Sequence, residues 1–363
     1  MYNLSLEIVN QCNLNCTYCY LGEKKNHRMS KDIALKAMDI AIHESKKQYD
    51  KSLLVYFIGG EPLMAYEFMV FCTNYIKKKC EEYDLYAYFS TTINGTLLNQ
   101  DKINFFIKYN FDLKISIDGI ADTHDLNRAF YDSRGSYKEI ITKLPFIWEY
   151  EEKTGKMCHV ANVITTNNYY NLLDNLIHLT NLGFKFVESG IDIYSKWDEN
   201  DIEKLCKQLE ISFDYYKKMK EEKSKAYWKF FEDRIQNLYS EVHFYGCKAG
   251  LISIYVTVDG YIYPCSEIDE RVRIGSVWKG LNVEKIRSFI NYKMTQNKEC
   301  LECEDLRHCK ASGCIMNNYE VNKDFFKPIS ISCFITKFFI EMIRTKLSTE
   351  QQEAFLKYYQ KKV

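Results

Sequence analysis

Along residues 4–193 short apolar runs alternate with amphipathic stretches. The runs are LSLEIV (4–9), LLVYFI (53–58), YAYFSTT (86–92), FDLKISI (111–117), MCHVANVIT (157–165) and FKFVESGIDI (184–193). Each is rich in β-branched or aromatic side chains, as buried strands are. Between them, residues 30–49, 66–82, 99–109, 136–152 and 169–182 place apolar side chains at helical spacing. Ser30 and Asn99 stand where N-caps belong, and Gly183 where a C-cap does. Six strands alternating with five helices predict parallel βαβ units, whose right-handed crossovers wrap into a partial barrel. A doubly wound open sheet is the competing arrangement on pattern alone.

Residues 198–240 are charged and helical in spacing, with no strand signal, and read as a bridge. Next comes a hairpin pattern, SIYVTVDGYIYP, with Asp259-Gly260 as its turn. A cysteine-dense irregular stretch runs to Cys333, and the tail from Phe334 reads as one or two amphipathic helices. The expected fold class is α/β: a partial (β/α)6 barrel of parallel strands, then a small Cys-rich domain with a β-hairpin and C-terminal helices. The expected boundaries are 1–197 for the barrel, 198–240 for the bridge, 241–340 for the Cys-rich domain and 341–363 for a C-terminal helix.

Composition narrows the function. With 46% hydrophobic residues in 363 there is material for a sizeable core. Lys+Arg and Asp+Glu both total 49, so the basic excess of a nucleic-acid binder is missing and none is expected as partner. No apolar run reaches membrane-spanning length, and MYNLSLEIVN has no positive n-region, so the expected location is cytoplasmic, with no membrane partner. In that compartment fourteen cysteines point to metal or redox chemistry rather than a disulfide framework.

Three of them, Cys12, Cys16 and Cys19, fall within eight positions, on the loop after the first strand. Thiolates at this spacing can wrap one metal or one cluster. Structural zinc wants four protein ligands, and only His27 is near enough to be considered as a fourth. A four-iron cluster held by three thiolates instead leaves one iron open to an exogenous ligand. In a β/α barrel, reactive groups collect at this end of the strands.

Cys12-x3-Cys16-x2-Cys19, with Tyr18 before the last cysteine, resembles the signature of radical S-adenosylmethionine (SAM) enzymes. Gly59-Gly60-Glu61-Pro62 resembles that family's GGEP motif, whose backbone and glutamate hold the amino group of SAM. Thr92-Ile93-Asn94-Gly95 resembles its threonine/asparagine–glycine segment, and Ser116 with Asp118-Gly119 its SxDG pattern. Arg128 stands where related enzymes place an arginine near the SAM carboxylate, and Val163 on a strand that often contacts adenine. Taken singly, these are a turn, another turn, a cap, a solvated arginine and a core valine. Their coincidence at the ends of successive strands favours a SAM site.

The last third resembles the SPASM extension, which carries two auxiliary iron–sulfur clusters. By that resemblance Cys300, Cys303, Cys309 and Cys333 close one cluster, and Cys247, Cys265 and Cys314 hold the other. The total implied is three [4Fe-4S] clusters plus SAM. One departure is KASG between Cys309 and Cys314, four residues where the family has three. Paired zinc sites are the alternative. Cys72, Cys80, Cys158 and Cys206 read as core thiols.

The resemblance implies a 5′-deoxyadenosyl radical that takes hydrogen from a peptide or protein substrate, with the auxiliary clusters accepting an electron. The leading expectation is a maturase installing a crosslink, often a thioether, in a ribosomally made peptide. The first alternative is an anaerobic sulfatase maturase, which makes formylglycine from Cys or Ser; a non-catalytic zinc scaffold is the second. Similar sulfatase maturases commonly carry an aspartate after the second SPASM cysteine, whereas Cys265 is followed by Ser266 and Glu267. An electron donor such as flavodoxin or ferredoxin is implied. With the barrel starting near residue 4, a separate partner or the C-terminal helices would have to read a leader. Glu7, Glu188, Asp192 and Tyr20 are near the expected site, and none is assigned as a base.

Overall fold

The computed structural model describes residues 1–22, 24–239 and 242–351. The chain begins with β1 (Tyr2–Val9), α1 (Lys31–Ser45), β2 (Ser52–Gly59), α2 (Tyr66–Glu82), β3 (Tyr86–Ile93), α3 (Gln100–Lys108) and β4 (Asp112–Ser116). It continues with α4 (Ala121–Asn127), α5 (Tyr137–Ile141), α6 (Leu144–Thr154), β5 (His159–Ile164), α7 (Leu172–Asn181), β6 (Phe186–Ile191), α8 (Glu199–Glu221), β7 (Tyr227–Trp228) and α9 (Lys229–Tyr239). The last elements are β8 (Ser253–Val256), β9 (Tyr261–Tyr263), β10 (Gly275–Ser276), β11 (Gly280–Leu281), α10 (Val283–Ile290), α11 (Lys298–Leu301), α12 (Ile315–Asn322) and α13 (Ser330–Lys346).

All six expected strands form. The expected helix over 136–152 is instead two, because Pro145 opens a new helix: its missing N–H is harmless only in a first turn. The bridge holds a strand its pattern did not announce, the two-residue β7, which buries Tyr227 and Trp228. Residues 240 and 241, at the expected border of the bridge, lie outside the described residues, as do 352–363 of the expected C-terminal helix. Among the described residues, no helix is long and apolar enough to cross a membrane.

The chain divides into two compact units. The first comprises 1–117, 124–160 and 247–291; the second comprises 118–123, 161–246 and 292 onward. In the first unit the strand order is β11-β10-β9-β8-β1-β2-β3-β4, and β1 to β4 are parallel, each beside its successor. The winding keeps one sense through four strands, whereas a doubly wound sheet crosses to the far side of its first strand after two or three. β8 adds to β1 in parallel, then turns at Asp259-Gly260 into antiparallel β9, with Gly260 at φ +80°. Leu4, Leu6 and Ile8 alternate into the core of this unit, with Val55 and Phe57 from β2. Ser30 caps α1 through the Ile33 N–H, and Asn99 caps α3 through the Lys102 N–H.

The second unit pairs β6 with β7 in parallel and packs α8, α9 and α13 around an aromatic cluster. Tyr216 stacks on Trp228 at 5.1 Å, and Phe231 meets Phe339 of α13 at 5.7 Å. The irregular segment from Cys300 to Cys314 precedes α12 and α13.

Candidate cluster and cofactor site

The loop leaving β1 carries Cys12, Cys16 and Cys19, and three stretches of the first unit fasten it. One is the end of β2. Gly60 N–H donates to Val9 O at 2.9 Å, and Glu61 N–H to Gln11 O at 3.0 Å. This approach needs glycine: a Cβ on Gly59, at φ +136°, would stand 2.0 Å from Val9 O, and one on Gly60 2.3 Å from Gln11 O. Glu61 is buried. Its Oε1 accepts Leu63 N–H at 3.0 Å, capping the single turn Pro62–Ala65, and its Oε2 accepts Asn94 N–H at 2.7 Å. Burial pushes this carboxyl up to about 7, opposed by those two N–H groups, Lys102 and Arg128.

The second fastening is the segment after β3. Asn94 Nδ2 donates to Asn13 Oδ1 at 2.8 Å and lies 3.9 Å from Cys12 Sγ. Asn94 Oδ1 accepts from Thr96 N–H and Oγ1, while Asn13 Nδ2 donates to Thr96 Oγ1, closing a ring of three side chains. Thr92 faces β2, sharing a 2.7 Å hydrogen bond with Tyr56. The third fastening is 127–130. Asn15 N–H donates to Ala129 O, and Thr17 donates to Asn127 through both its N–H and its hydroxyl.

Arg128 is buried, so the solvated reading of it fails. Its Nη1 lies 3.9 Å from Cys16 Sγ, and its guanidinium stands 5.4 Å from the centre of the Tyr18 ring. Behind it, the Ser136 hydroxyl donates to Arg128 O and meets Nε2 of buried His124 at 2.9 Å. That hydroxyl has spent its proton, so it accepts from Nε2–H. Burial, helped by Arg128, holds His124 down at about 3, and the ring is neutral.

Burial and Glu61 push the Cys12 thiol up to about 11. Such a thiol is not ionised in neutral water. Binding to a metal ion or cluster is what would deprotonate it, and three thiols in one loop beside a guanidinium fit a thiolate-held cluster. His27, weighed as a fourth ligand, turns its Nδ1 to Asp259 at 3.5 Å.

Ser116 is buried at the end of β4 in the first unit. Asp118 and Val163 belong to the second unit, where Asp118 Oδ1 accepts Val163 N–H at 3.1 Å. Gly119, at φ +146°, lets the chain pass the Asn175 side chain, which a Cβ would meet at 2.0 Å. Asn13, Thr96, Asn127 and His124 had not been singled out. Asn13, Thr96 and Asn127 sit within or beside the motifs, and that adjacency is the signal that could have found them.

In the second unit, Cys300 N–H donates to Asn297 Oδ1, Cys303 N–H to Cys300 O and Cys309 N–H to Leu306 O. Burial raises the Cys300 thiol to about 11, reinforced by Cys333, Cys309 and Cys303; Cys333 in turn feels Cys309 and Cys303. The four thiols that the resemblance groups therefore act on one another. The extra residue of KASG sits in a turn closed by Gly313 N–H to Lys310 O. Cys314 stands just before α12 in this unit, whereas Cys247 and Cys265 belong to the first unit. Every cysteine is a free thiol, and Cys72, Cys80 and Cys158 are buried with thiols pushed up by desolvation. Among the described residues, no three His, Cys, Asp or Glu side chains converge as ligands of a single ion do.

The acids that the sequence offered are committed elsewhere or half-buried. Glu7 is buried and accepts from Asn10 Nδ2 and Val258 N–H. Asp192 is buried rather than solvated, accepting from Tyr194 N–H and the Ser195 hydroxyl. Glu188 is half-buried and Tyr20 exposed.

The three-thiol loop thus stands at the C-terminal end of the first strand of a parallel sheet, a donor set suited to a thiolate-held cluster. Residues 6–145 match the model of the Radical SAM superfamily. That family implies SAM and a [4Fe-4S] cluster. The chain is 24% identical over 359 residues to a cysteine-type anaerobic sulfatase-maturating enzyme of Clostridium novyi, covering 93% of each. It shares its fold with anSMEcpe solved with AdoMet and the Cp18Cys peptide (TM-score 0.80, 19% identity, 97% of this chain and 99% of that one). Streptococcus suis SuiB bound to its precursor peptide SuiA is a further structural match (TM-score 0.61, 18% identity, 92% and 75%).

Proposed function

We propose that the protein matures a peptide or protein by oxidising one of its side chains, with formylglycine formation from a cysteine as the reaction to test first. End-to-end similarity to a sulfatase-maturating enzyme supports this and reverses the order of the two sequence expectations. The observation that carries the site is the triple fastening of the cysteine loop by the Gly60, Asn94 and Arg128 segments. In this reading Cys12, Cys16 and Cys19 hold the [4Fe-4S] cluster. SAM is held by Tyr18, the segments Gly59–Pro62 and Thr92–Asn94, and Ser116, Asp118, Arg128 and Val163. When bound, SAM and the cluster together supply a strong hydrogen-atom abstractor.

The chain's own part is placement. Arg128 offers a buried cation to a carboxylate, kept in position by the neutral His124 and Ser136 behind it. The Asn13–Asn94–Thr96 ring fixes the loop beside Cys12. Cys300, Cys303, Cys309 and Cys333 would hold one auxiliary cluster, and Cys247, Cys265 and Cys314 the other, groups that when bound would supply one-electron redox chemistry. Overall, a CH2–SH side chain and water give an aldehyde and hydrogen sulfide, while two electrons and two protons leave.

Crosslinking is the second reading, favoured by Ser266-Glu267 after Cys265 where an aspartate would stand. The test is anaerobic reconstitution followed by iron counting and assay of 5′-deoxyadenosine, with a Cys12/Cys16/Cys19→Ala control. About twelve irons per chain and nucleoside only from the wild type are expected. Mass spectrometry of a cysteine peptide then separates the reactions. Exchange of sulfur for oxygen together with loss of two hydrogens supports the maturase, and loss of two hydrogens alone supports the crosslink. Zinc in place of iron sinks both.

A further inference from the structure

A groove of ≈ 520 Å3 lies beside the cysteine loop in the first unit. Its apolar floor includes Leu63, Phe68 and Phe71, and its rim carries Arg28, Lys31 and Lys102 against one carboxylate, Glu67. Among the described residues Arg28 and Lys31 form no ion pair, Lys31 lying 5.0 Å from the Phe71 ring centre, while Lys102 donates to Leu97 O and feels buried Glu61. The chain has no net charge, so this positive rim is local.

The groove is wired to the cysteine motif. Leu63 N–H is held by Glu61, the same carboxylate holds Asn94 N–H, and the Asn94 amide lies 3.9 Å from Cys12 Sγ. On the other wall, Arg28 bridges Val9 of β1, and Met29 N–H donates to Ile8 O. A ligand seated here is one short hydrogen-bonded path from the thiol that would hold the cluster.

We propose that this groove docks an acidic one-electron carrier protein, a reduced flavin or iron–sulfur carrier, which gives up one electron per turnover to the cluster held by Cys12, Cys16 and Cys19. The inference rests on the radical SAM reading and adds the place where the electron enters. An apolar floor ringed by cations suits a small, transient electron-transfer interface, in which charge sets the encounter rate.

The experiment compares wild type with Arg28→Glu/Lys31→Glu. Lys31 is the first residue of α1, where the helix dipole favours a carboxylate, so the fold should bear the change. Lys204→Glu on α8 is the charge control. The oxidised carriers, flavodoxin and a plant-type ferredoxin, are titrated onto the anaerobic enzyme by calorimetry at low and high salt. Nucleoside formation is then driven by either carrier or by dithionite. The expected result is about tenfold weaker carrier binding in the double variant, with most of the salt dependence gone, and an unchanged rate with dithionite. Equal binding by wild type and double variant, or an equal loss in Lys204→Glu, overturns the docking site. A wild type that binds carrier through Arg28 and Lys31 but makes no nucleoside with dithionite leaves the surface standing and overturns the radical SAM reading of the site.

Discussion

The two sets of cysteines are built in opposite ways. Around Cys12, Cys16 and Cys19, backbone and side-chain bonds from three distant segments hold the loop, one of them through two contacts where only glycine fits. Around Cys300, Cys303 and Cys309 the cysteines' own backbone bonds are local, Cys303 N–H to Cys300 O, Leu306 N–H to Cys303 O and Cys309 N–H to Leu306 O, while distant residues hold only what lies between and after them, as Val242 N–H does Arg307 O. The first loop is shaped by the packed sheet beneath it. The second is a run of single turns in which burial, and then Cys333, Cys309 and Cys303, raise the Cys300 thiol, so its shape depends more on whatever binds these thiols.

The sharpest way to break that contrast is a single methyl group in each region. Gly60→Ala puts a Cβ within 2.5 Å of the carbonyl oxygens of both Asn10 and Gln11, which belong to the fastened backbone. The expected cost is about 4 kcal/mol or more, seen as loss of soluble protein or collapse of Tm. At Gly313, inside the KASG turn, the nearest atoms are Tyr245 N at 3.2 Å and Phe244 Cα at 3.3 Å. Gly313→Ala should cost about 1 kcal/mol. Similar losses in the two variants would mean that the regions do not differ in rigidity.

Removing iron is the next largest perturbation. In anaerobic enzyme treated with a chelator, amide hydrogen exchange in 298–314 should speed up by about 100-fold, while β1 to β4 keep their protection. Uniform loss of protection would show that the N-terminal loop also needs its cluster to fold.

Legibility followed the same divide. Strands β1 to β6 could be read because each is an apolar run whose partners are its chain neighbours. Cys12, Cys16, Cys19 and the GGEP segment could be read because the chemistry forces a short spacing. The ring of Asn13, Asn94 and Thr96 could not, since polar residues that pair across 81 or 83 positions leave no local pattern. Arg128 and Asp192 read as surface charges for the same reason: their burial is decided by elements far away in sequence. Strands of two residues, such as β7, β10 and β11, are shorter than any period that could announce them.

Glu61 gives a smaller and more specific handle on the first region. Its folded value of about 7 lies above the 4.5 of an exposed glutamate, so the folded chain binds more protons than the unfolded one between these values. Stability from this group is fully present below about 4.5, falls as pH rises, and levels off above 7. The shift corresponds to at most about 3 kcal/mol. Denaturant titrations of wild type and Glu61→Gln across this window should differ in slope, the variant being flatter. At the acid end the variant should be the less stable, because an amide nitrogen cannot accept from either Leu63 or Asn94 N–H. Parallel curves would show that Glu61 does not titrate in this range.

The smallest effects come from two asparagine caps with the same chemistry. Asn99 accepts from Lys102 N–H at the start of nine-residue α3, which buries Ile103, Phe105 and Phe106 in the first unit. Asn297 accepts from Cys300 N–H at the start of four-residue α11, which buries none of its side chains. Asn99→Ala should lower global stability by about 1 kcal/mol, because α3 belongs to a cooperative core. Asn297→Ala should leave the global transition within about 0.5 kcal/mol of wild type, its turn being only locally coupled. Its effect should appear instead as faster loss of iron to a chelator, since the Cys300 backbone has lost its anchor. If both caps shift the global transition equally, the cysteine-rich turns fold with the core, and the contrast between the two regions is one of sequence distance and not of stability.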